Sequence, residues 1–353
     1  MSVVPSSTRS PSDASPDPTP KSSVRVATGA RLHFGLLDTV APFGGCGVMV
    51  EGLGTQITIS PSRHFAVEGA DELRTRRIAR RLADRCGFRE LPRCVVRFEQ
   101  VPRAHMGLGS GTQLSLAVAE GLAAFLGRTI APEQLAAGIA DRGHRSAVGV
   151  HGYFRGGFIA EGDDAPGGSS RPTINPIACR VELPESWRVA VLLPRMQTVS
   201  ISGDLETAQF TRLRPATVGQ RNELRRDLTE SLIPAAKDAN FDAFTAAIAT
   251  YNLRSGMLFA AVQGGPYNGA AVLQAVRTAE RFGGRGVGQS SWGPGVFAWF
   301  CNEQAVSELS NAAARDFEIH VTRVCNKPRR LAMNPPCESP PADLPAAAAA
   351  NHR

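Results

Sequence analysis

Residues 102–113 read Pro-Arg-Ala-His-Met-Gly-Leu-Gly-Ser-Gly-Thr-Gln, and the run Leu-Ser-Leu-Ala-Val-Ala-Glu-Gly-Leu-Ala-Ala-Phe-Leu follows directly. From Leu114 to Phe125 the apolar residues recur at near-helical spacing, which predicts a helix with a buried face. The three glycines before it allow tight turns and a close approach of the backbone to a ligand. The stretch is therefore predicted to be a glycine-rich loop that opens a helix.

Such a loop presents unbonded N–H groups and the positive end of the helix dipole, an arrangement that suits an anion, most often phosphate. Ser110 and Thr112 are N-cap candidates by residue type. The loop lacks the lysine of a Walker A motif and the third glycine of the dinucleotide-binding fingerprint. A strand-to-helix turn without a ligand stays open as an alternative.

Composition bounds the class of protein. The chain has 353 residues, of which 42% are hydrophobic and 20% charged, as in a globular protein of about two domains. The net charge of +7 comes mainly from scattered arginines. The arginines between Arg74 and Arg85 are expected on a solvated helix face. With no long basic run and few aromatic neighbours, an anionic small substrate is favoured over nucleic acid.

The seven cysteines are widely spaced and form no Cys-x-x-Cys pair. This pattern argues against a disulfide framework or a structural zinc site and favours a reducing cytoplasm. No secretory signal and no membrane span is predicted, because the first 23 residues lack an apolar segment and no apolar run reaches about 18 residues.

The predicted organisation is two disordered tails, 1–22 and 336–353, around two domains, 23–185 and 186–335. The polar loop Gly162–Pro172 is expected to tolerate insertion. Strands and helices alternate with antiparallel hairpin candidates, which favours an α+β fold. The predicted strands are Val24–Ala27, Leu32–Leu36, Gln56–Ser60, Cys94–Phe98, Gly156–Ala160, Arg188–Leu193, Val296–Phe300 and Glu318–Thr322. Besides the helix after the glycine loop, the predicted helices are Glu72–Cys86, Pro132–Arg142, Gly219–Asn240, Phe241–Ser255, Ala270–Phe282 and Glu303–Ala314.

Polar residues elsewhere suggest further site candidates. Arg31 and His33 lie on one side of an extended segment, where arginine can hold a carboxylate or phosphate and histidine can move a proton. Arg145 and His151 flank a polar segment between a helix and a glycine-rich stretch. A solvated arginine and a structural histidine are the alternatives for each pair.

The second half contains two glycine-rich segments, Gln263–Tyr267 and Gly286–Gly295. Close backbone approach to a ligand is favoured there, with a packed sheet-edge turn as the alternative. The polar and aromatic side chains offered by these segments are Gln263, Gln289, Ser290, Ser291 and Trp292. By contrast, Phe43–Val48 is predicted to be a tight turn.

Several motifs taken in order resemble the beta-ribofuranosylaminobenzene 5'-phosphate synthase family of the GHMP kinase superfamily. The resemblance runs from Val24 to near Pro335. It rests on Gly29-Ala-Arg-Leu-His-Phe-Gly35, Phe43-Gly-Gly-Cys-Gly47, Pro102-x-x-x-Met-Gly-Leu-Gly-Ser-Gly111, Arg145-Ser-Ala-Val-Gly-Val-His-Gly152, Gln263-Gly-Gly-x-Tyr267 and Gly286-Val-Gly-Gln-Ser-Ser-Trp-Gly-Pro294.

The resemblance implies a GHMP kinase-like two-domain fold, with an N-terminal half like the second domain of ribosomal protein S5 and a ferredoxin-like C-terminal half. The implied reaction transfers ribose 5-phosphate from phosphoribosyl pyrophosphate to 4-aminobenzoate or 4-hydroxybenzoate, releasing CO2 and pyrophosphate. The implied pathway is tetrahydromethanopterin biosynthesis. Mg²⁺ is expected with the pyrophosphate substrate, its protein ligands are unknown, and a homodimer is plausible.

The same resemblance assigns roles to residues. Arg31, His33, Arg145 and His151 are the catalytic candidates, with the choice of anion for each cation left open. The expected substrate-binding and pyrophosphate-binding residues are Gly107, Leu108, Gly109, Ser110, Gly111, Thr112, Gln113, Gln263, Gln289, Ser290, Ser291 and Trp292.

Two other functions remain possible at this point. GHMP kinases commonly carry Gly-x-Asp where this chain has Gly149-Val-His151, which disfavours an ATP-dependent small-molecule kinase. A non-catalytic ligand-binding protein would not need to keep so many polar groups in glycine-rich turns.

Overall fold

The computed structural model describes residues 22–162, 174–195 and 208–334. The two predicted tails, apart from Ser22, lie outside the described residues, as does the predicted loop Gly162–Pro172 beyond its first residue. The strands are β1 (Ser23–Ala27), β2 (Ala30–Gly35), β3 (Gly45–Val50), β4 (Gln56–Pro61), β5 (Ala66–Glu68), β6 (Cys94–Gln100), β7 (Phe158–Glu161), β8 (Ile177–Val181), β9 (Arg188–Pro194), β10 (Arg285–Gln289), β11 (Val296–Phe300), β12 (Phe317–Thr322) and β13 (Arg330–Asn334).

Helices alternate with these strands along the chain. They are α1 (Glu72–Cys86), α2 (Ser110–Phe125), α3 (Gln134–Ala140), α4 (Val148–Arg155), α5 (Val218–Arg226), α6 (Asp227–Leu232), α7 (Ile233–Lys237), α8 (Phe241–Met257), α9 (Ala260–Gln263), α10 (Gly269–Arg281) and α11 (Glu303–Ala313). The bounds of α1 and β11 are those expected from the sequence. α3 and α6 are π-helical.

The strands form three sheets, with the orders β13-β1-β4-β6-β5, β2-β3-β7-β8 and β10-β11-β9-β12. All pairings are antiparallel except β5 with β6. Strands β9 to β12 are the first to fourth strands of the C-terminal half. The third sheet therefore has the order second, third, first, fourth. That order is the ferredoxin-like arrangement expected for this half.

Helix α2 packs closely on the first sheet at Gly121. A Cβ atom at this position would lie 2.8 Å from Cδ1 of Ile59 and 3.2 Å from Cγ2 of Val26. Glycine in a helix interior costs roughly 0.5–1 kcal/mol relative to alanine. Here it lets the helix lie against the strands, which fixes the position of the glycine loop at the N-terminus of the helix.

The largest core cluster contains residues of both halves of the chain. The ring of Phe34 lies 6.2 Å from that of Phe158, 5.1 Å from that of Phe297 and 6.2 Å from that of Trp299, measured between centroids. In addition, β13 returns to pair with β1 in the first sheet. The two halves of the chain therefore share a core cluster and a sheet.

The segment Phe43–Val48, predicted to be a tight turn, overlaps the strand β3. β3 is buried along its whole length and pairs with both β2 and β7. Because both of its faces are covered, it lacks the alternation of polar and apolar residues that marks a half-exposed strand. The first part of Gly286–Gly295 likewise lies in β10.

Candidate functional site

A cavity of about 940 Å³ lies between β2, the glycine loop, the segment 141–146 and the turn after β10. Its walls include residues of both halves of the chain, such as Arg31, Gly109, Arg145 and Trp292. Small-molecule sites have volumes of roughly 300–1,000 Å³. The cavity is therefore large enough for two small substrates side by side.

The glycine loop opens directly onto this cavity. Helix α2 begins at Ser110, and its N-cap is Gly109, with a left-handed φ of 67° and no side-chain cap. Ser110, a sequence candidate for the cap, is instead the first helical residue. Within the described part of the chain, no hydrogen bond uses the N–H groups of Ser110 and Gly111. The positive end of the helix is thus available to an anion in the cavity.

The loop is held in place by both halves of the chain. The Ser290 hydroxyl donates to the Gly107 carbonyl at 2.6 Å and accepts from the His33 N–H at 2.9 Å. A Cβ atom at Gly107 would overlap the Ser290 carbonyl oxygen. The Arg31 N–H donates to the Leu108 carbonyl at 2.9 Å. Ser290 itself, one of the predicted binding residues, is fully buried and does not line the cavity.

Three arginines surround the loop. A Cβ atom at Gly109 would lie 3.3 Å from Nε of Arg31. At Gly111 it would lie 3.1 Å from Nη1 of Arg74 and 3.8 Å from Nη2 of Arg142. An anion at the start of α2 would thus meet several positive charges at short range.

Two of these arginines were not among the residues predicted for the site. Arg74 was expected on a solvated face of α1, yet it lines the cavity and forms an ion pair with Asp71 at 3.2 Å. Arg142 also lines the cavity, and its Nε atom donates to the Ser115 hydroxyl at 3.3 Å. No local signal marked them, because the packing of α1 against α2 brings Arg74 to the loop.

His33 lies on the cavity wall in front of a buried polar network. Its Nε2 atom is 3.0 Å from the Ser146 hydroxyl, which donates to the Glu161 carboxylate at 2.6 Å. Glu161 is only 2% exposed and also accepts from the Val148 N–H and the Asn175 amide. Burial lowers the pKa of His33 well below its usual value of 6.5, and the positive charge of Arg31 lowers it further. The imidazole is therefore neutral at pH 7.

Sequence reasoning missed both Ser146 and Glu161. The signal for Glu161 was a single carboxylate at the end of the apolar run Phe158-Ile-Ala-Glu161, which the structure buries along its whole length. An ionisable side chain in a buried strand requires hydrogen-bond partners and often marks a functional site.

Aromatic side chains form another part of the cavity wall. The rings of Phe210, Phe259 and Trp292 meet edge to face, with centroid separations of 4.9–5.8 Å. The Arg145 guanidinium lies 4.3 Å from the centroid of Phe210. All four residues line the cavity. Phe210 and Phe259 were not predicted, because they come from segments without a motif.

The predicted glutamines stabilise the turns around this aromatic wall. The Gln289 amide donates to the Ser291 carbonyl at 2.7 Å and accepts from the Asn268 N–H at 2.6 Å. Gln263 donates to the Pro266 carbonyl at 3.0 Å. Gln263, Gln289 and Ser291 all line the cavity.

Two other predicted residues do not line the cavity. A ring nitrogen of His151 lies 2.7 Å from the Asn175 carbonyl oxygen. Gln113 is buried, and its amide donates to the Gly149 carbonyl at 2.8 Å. The remaining predicted residues, Gly107, Leu108, Gly109, Ser110, Gly111, Thr112, Arg31, His33, Arg145 and Trp292, all line it.

Among the described residues, no group of three or more His, Cys, Asp or Glu side chains is placed to hold a metal ion. None of the helices in this part of the chain is long and apolar enough to cross a membrane. The six cysteines within the described ranges are free thiols.

A family model and several curated proteins match this chain. Residues 74–157, which contain the glycine loop and α2, match the GHMP kinases N terminal domain. The beta-ribofuranosylphenol 5'-phosphate synthase of Methanothermobacter thermautotrophicus is 28% identical over 295 residues, which cover 77% of this chain and 87% of the relative. The Archaeoglobus fulgidus protein of the same name is 28% identical over 239 residues, 64% of this chain and 74% of the relative.

The three curated relatives and the matched GHMP kinases N terminal domain together support the beta-ribofuranosylphenol 5'-phosphate synthase family for this chain. This confirms the resemblance drawn from the sequence motifs. Two solved structures share the fold of this chain. Homoserine kinase from Cytophaga hutchinsonii superimposes with a TM-score of 0.63, at 13% identity over 88% of this chain and 97% of its own.

Mevalonate pyrophosphate decarboxylase from Streptococcus pyogenes gives a TM-score of 0.64, at 13% identity over 88% of this chain and 98% of its own. At this level of identity the two structures inform on the fold alone. They confirm the α+β GHMP architecture expected from the sequence.

Proposed function

We propose that this synthase-family protein transfers ribose 5-phosphate from phosphoribosyl pyrophosphate to a para-substituted benzoate, with release of CO2 and pyrophosphate. The relatives are named for a ribosylphenol product, which favours 4-hydroxybenzoate over 4-aminobenzoate as the acceptor. The observation that carries the proposal is that one cavity is lined both by the N-terminus of α2 and by an aromatic cluster that carries an arginine.

The diphosphate of phosphoribosyl pyrophosphate would bind at the start of α2. The N–H groups of Ser110 and Gly111 face the same region as Arg74 and Arg142. As the bond between ribose C1 and the diphosphate oxygen breaks, negative charge grows on the leaving group. Fixed N–H dipoles and guanidinium groups stabilise that charge without reorganisation during the reaction.

The benzoate would bind against the aromatic wall. Its ring is complementary to the edge-to-face arrangement of Phe210, Phe259 and Trp292, and Arg145 supplies a cation for its carboxylate. The ring carbon that carries the carboxylate forms the new bond to ribose C1. Loss of CO2 then returns an electron pair to the ring and restores its aromaticity. This chemistry depends mainly on positioning and charge stabilisation.

The residues at the loop fit a Mg²⁺ ion that is held largely by substrate phosphates and water. The lining offers the hydroxyl oxygens of Ser110 and Thr112 and the carboxylate of Asp71, without a preformed protein cage in the described residues. When bound, the ion would neutralise charge on the diphosphate. The expectation of Mg²⁺ rests on the substrate class.

The kinase alternative is less favoured. His151, which occupies the position of the kinase aspartate in the motif, does not line the cavity. The cavity-lining carboxylates within the described ranges are Asp71 and Asp141. Each is in an ion pair, Asp71 with Arg74 at 3.2 Å and Asp141 with Arg81 at 2.9 Å.

The test is release of labelled CO2 from carboxyl-labelled 4-hydroxybenzoate in the presence of phosphoribosyl pyrophosphate and Mg²⁺. Release that requires both substrates is expected, with slower release from labelled 4-aminobenzoate. Inorganic pyrophosphate should appear in an amount equal to that of the CO2 released. Folded protein that releases no CO2 but consumes ATP with small alcohols would refute the proposal in favour of a kinase.

A further inference from the structure

A hydroxyl and a carboxylate continue from His33 as a short hydrogen-bonded chain: Ser146 lines the cavity beside His33, and Glu161 is buried. The Ser146 hydroxyl is 3.0 Å from Nε2 of His33 and 2.6 Å from Oε1 of Glu161. Neither the glycine loop nor the aromatic wall uses Glu161, which is buried and does not line the cavity. The position of this carboxylate therefore calls for a separate explanation.

The directions of these hydrogen bonds follow from the partners of Glu161. The Val148 N–H donates to Oε1 at 2.9 Å, and the Asn175 amide NH2 donates to Oε2 at 3.0 Å. Both of these groups can only donate, so the carboxylate acts as the acceptor. Ser146 has one hydroxyl proton and gives it to Glu161. Its oxygen can then only accept from His33, which must carry its proton on Nε2.

The consequence is a fixed tautomer. A neutral imidazole has one protonated nitrogen, so Nδ1 of His33 keeps its lone pair. Among the described residues, Nδ1 has no hydrogen-bond partner, and the ring belongs to the cavity wall. The charged groups around the ring are Arg31 on the same strand and Glu161 on β7 behind Ser146. The positive charge that the ring gains with a proton at Nδ1 would thus be destabilised by Arg31 and stabilised by Glu161.

We propose that Ser146 and Glu161 are positioning residues that hold His33 as a proton acceptor for the para hydroxyl group of the aromatic substrate. This inference rests on the proposed function. As the ring carbon bonds to ribose C1 and the diphosphate leaves, the para hydroxyl gives its proton to Nδ1 and becomes a carbonyl. When the bond to CO2 breaks, its electron pair restores the ring and leaves a phenolate. The phenolate takes the proton back, and His33 is unchanged after each turnover.

This assignment gives His33 a part in substrate selection. A benzoate whose para oxygen carries a methyl group has no proton to give, so it should bind the aromatic wall without reacting. A para amino group has protons but loses them less readily than a hydroxyl. The expected order of turnover is therefore 4-hydroxybenzoate, then 4-aminobenzoate, with 4-methoxybenzoate inert.

The first experiment does not depend on activity. In protein labelled with ¹⁵N-histidine, the His33 signals are assigned by their loss in His33→Gln, and their shifts report which nitrogen holds the proton. The wild type is expected to show the Nε2–H tautomer, and Ser146→Ala and Glu161→Gln a mixture. Thr245→Val is the matched control, because it removes another buried hydroxyl, which donates to the Phe241 carbonyl at 2.8 Å and does not line the cavity. An Nδ1–H tautomer in the wild type would overturn the inference.

The second experiment measures CO2 release by the same variants. General-base groups contribute about 10²–10⁴-fold to rates. Ser146→Ala is expected to lower kcat with 4-hydroxybenzoate at least tenfold, with KM for phosphoribosyl pyrophosphate unchanged, and Ser146→Thr to restore most of the rate. An unchanged kcat in Ser146→Ala, or turnover of 4-methoxybenzoate at the wild-type rate, would overturn the role of His33. If the wild type releases no CO2 from either benzoate, the proposed function itself is overturned.

Discussion

Replacing Gly111 by alanine should separate anion binding from folding. Gly111 lies in the first turn of α2, where its φ is in the ordinary helical range and alanine can follow the same backbone. Alanine is preferred over glycine within helices by roughly 0.5–1 kcal/mol. The variant should therefore fold at least as stably as the wild type.

The added methyl group would nevertheless occupy the anion site. It would lie 3.1 Å from Nη1 of Arg74 and 3.8 Å from Nη2 of Arg142. The Arg74 side chain can move aside, but it then loses its contact with an anion bound at the loop. A hydrogen bond to a charged group contributes about 1.5–3 kcal/mol, which corresponds to about 10- to 150-fold weaker binding.

Calorimetric titration with inorganic pyrophosphate and Mg²⁺ measures this effect, and thermal unfolding monitors the fold. The matched control is Gly138→Ala in α3, where a Cβ atom would meet nothing within 4 Å. The control should bind pyrophosphate as the wild type does. Equal affinity of Gly111→Ala and Gly138→Ala would refute the placement of the diphosphate at the start of α2.

Three further predictions follow from the site. Arg74→Ala should raise KM for phosphoribosyl pyrophosphate about tenfold, because one hydrogen bond to a charged group is lost. Arg77→Ala removes an exposed arginine of the same helix and should leave this KM unchanged. Steady-state kinetics compares the two variants. Phe210→Ala should raise KM for 4-hydroxybenzoate at least tenfold while KM for phosphoribosyl pyrophosphate is unchanged, and equal increases in both would contradict the assignment of the aromatic wall. Burial lowers the pKa of His33 in the folded state, so the unfolded chain binds the extra proton and unfolding becomes more favourable as the pH falls below about 6.5, by up to about 1.4 kcal/mol per pH unit. Denaturant unfolding from pH 7.5 to 5 should show this slope in the wild type and a shallower one in His33→Gln; identical slopes would count against a neutral buried His33.

The amino-acid sequence by itself determined much of the local structure. The apolar spacing in Glu72–Cys86 and the β-branched and aromatic run Val296–Phe300 fixed the bounds of α1 and β11. The glycine loop before α2 was evident because its residues are contiguous. The family resemblance was equally accessible, since its motifs are short and occur in order along the chain.

Strands buried on both faces were harder to predict. β3 carries no polar-apolar alternation, because β2 and β7 flank it and neither of its faces meets water. β13 finds its partner β1 about 300 residues earlier in the chain, and no local pattern specifies such a pairing. Propensity acts over a few residues, whereas sheet order depends on how whole segments pack.

Only the tertiary structure decided which polar groups share the site. It brought Arg74 and Arg142 to the glycine loop and removed Gln113 and His151 from the cavity wall. It also placed Glu161 behind His33, two residues that lie 128 positions apart in the chain. The loop's ability to bind an anion is a local property of backbone N–H groups, so the sequence could show it. The protonation of His33 depends on burial and on distant partners, and these exist only once the chain has folded.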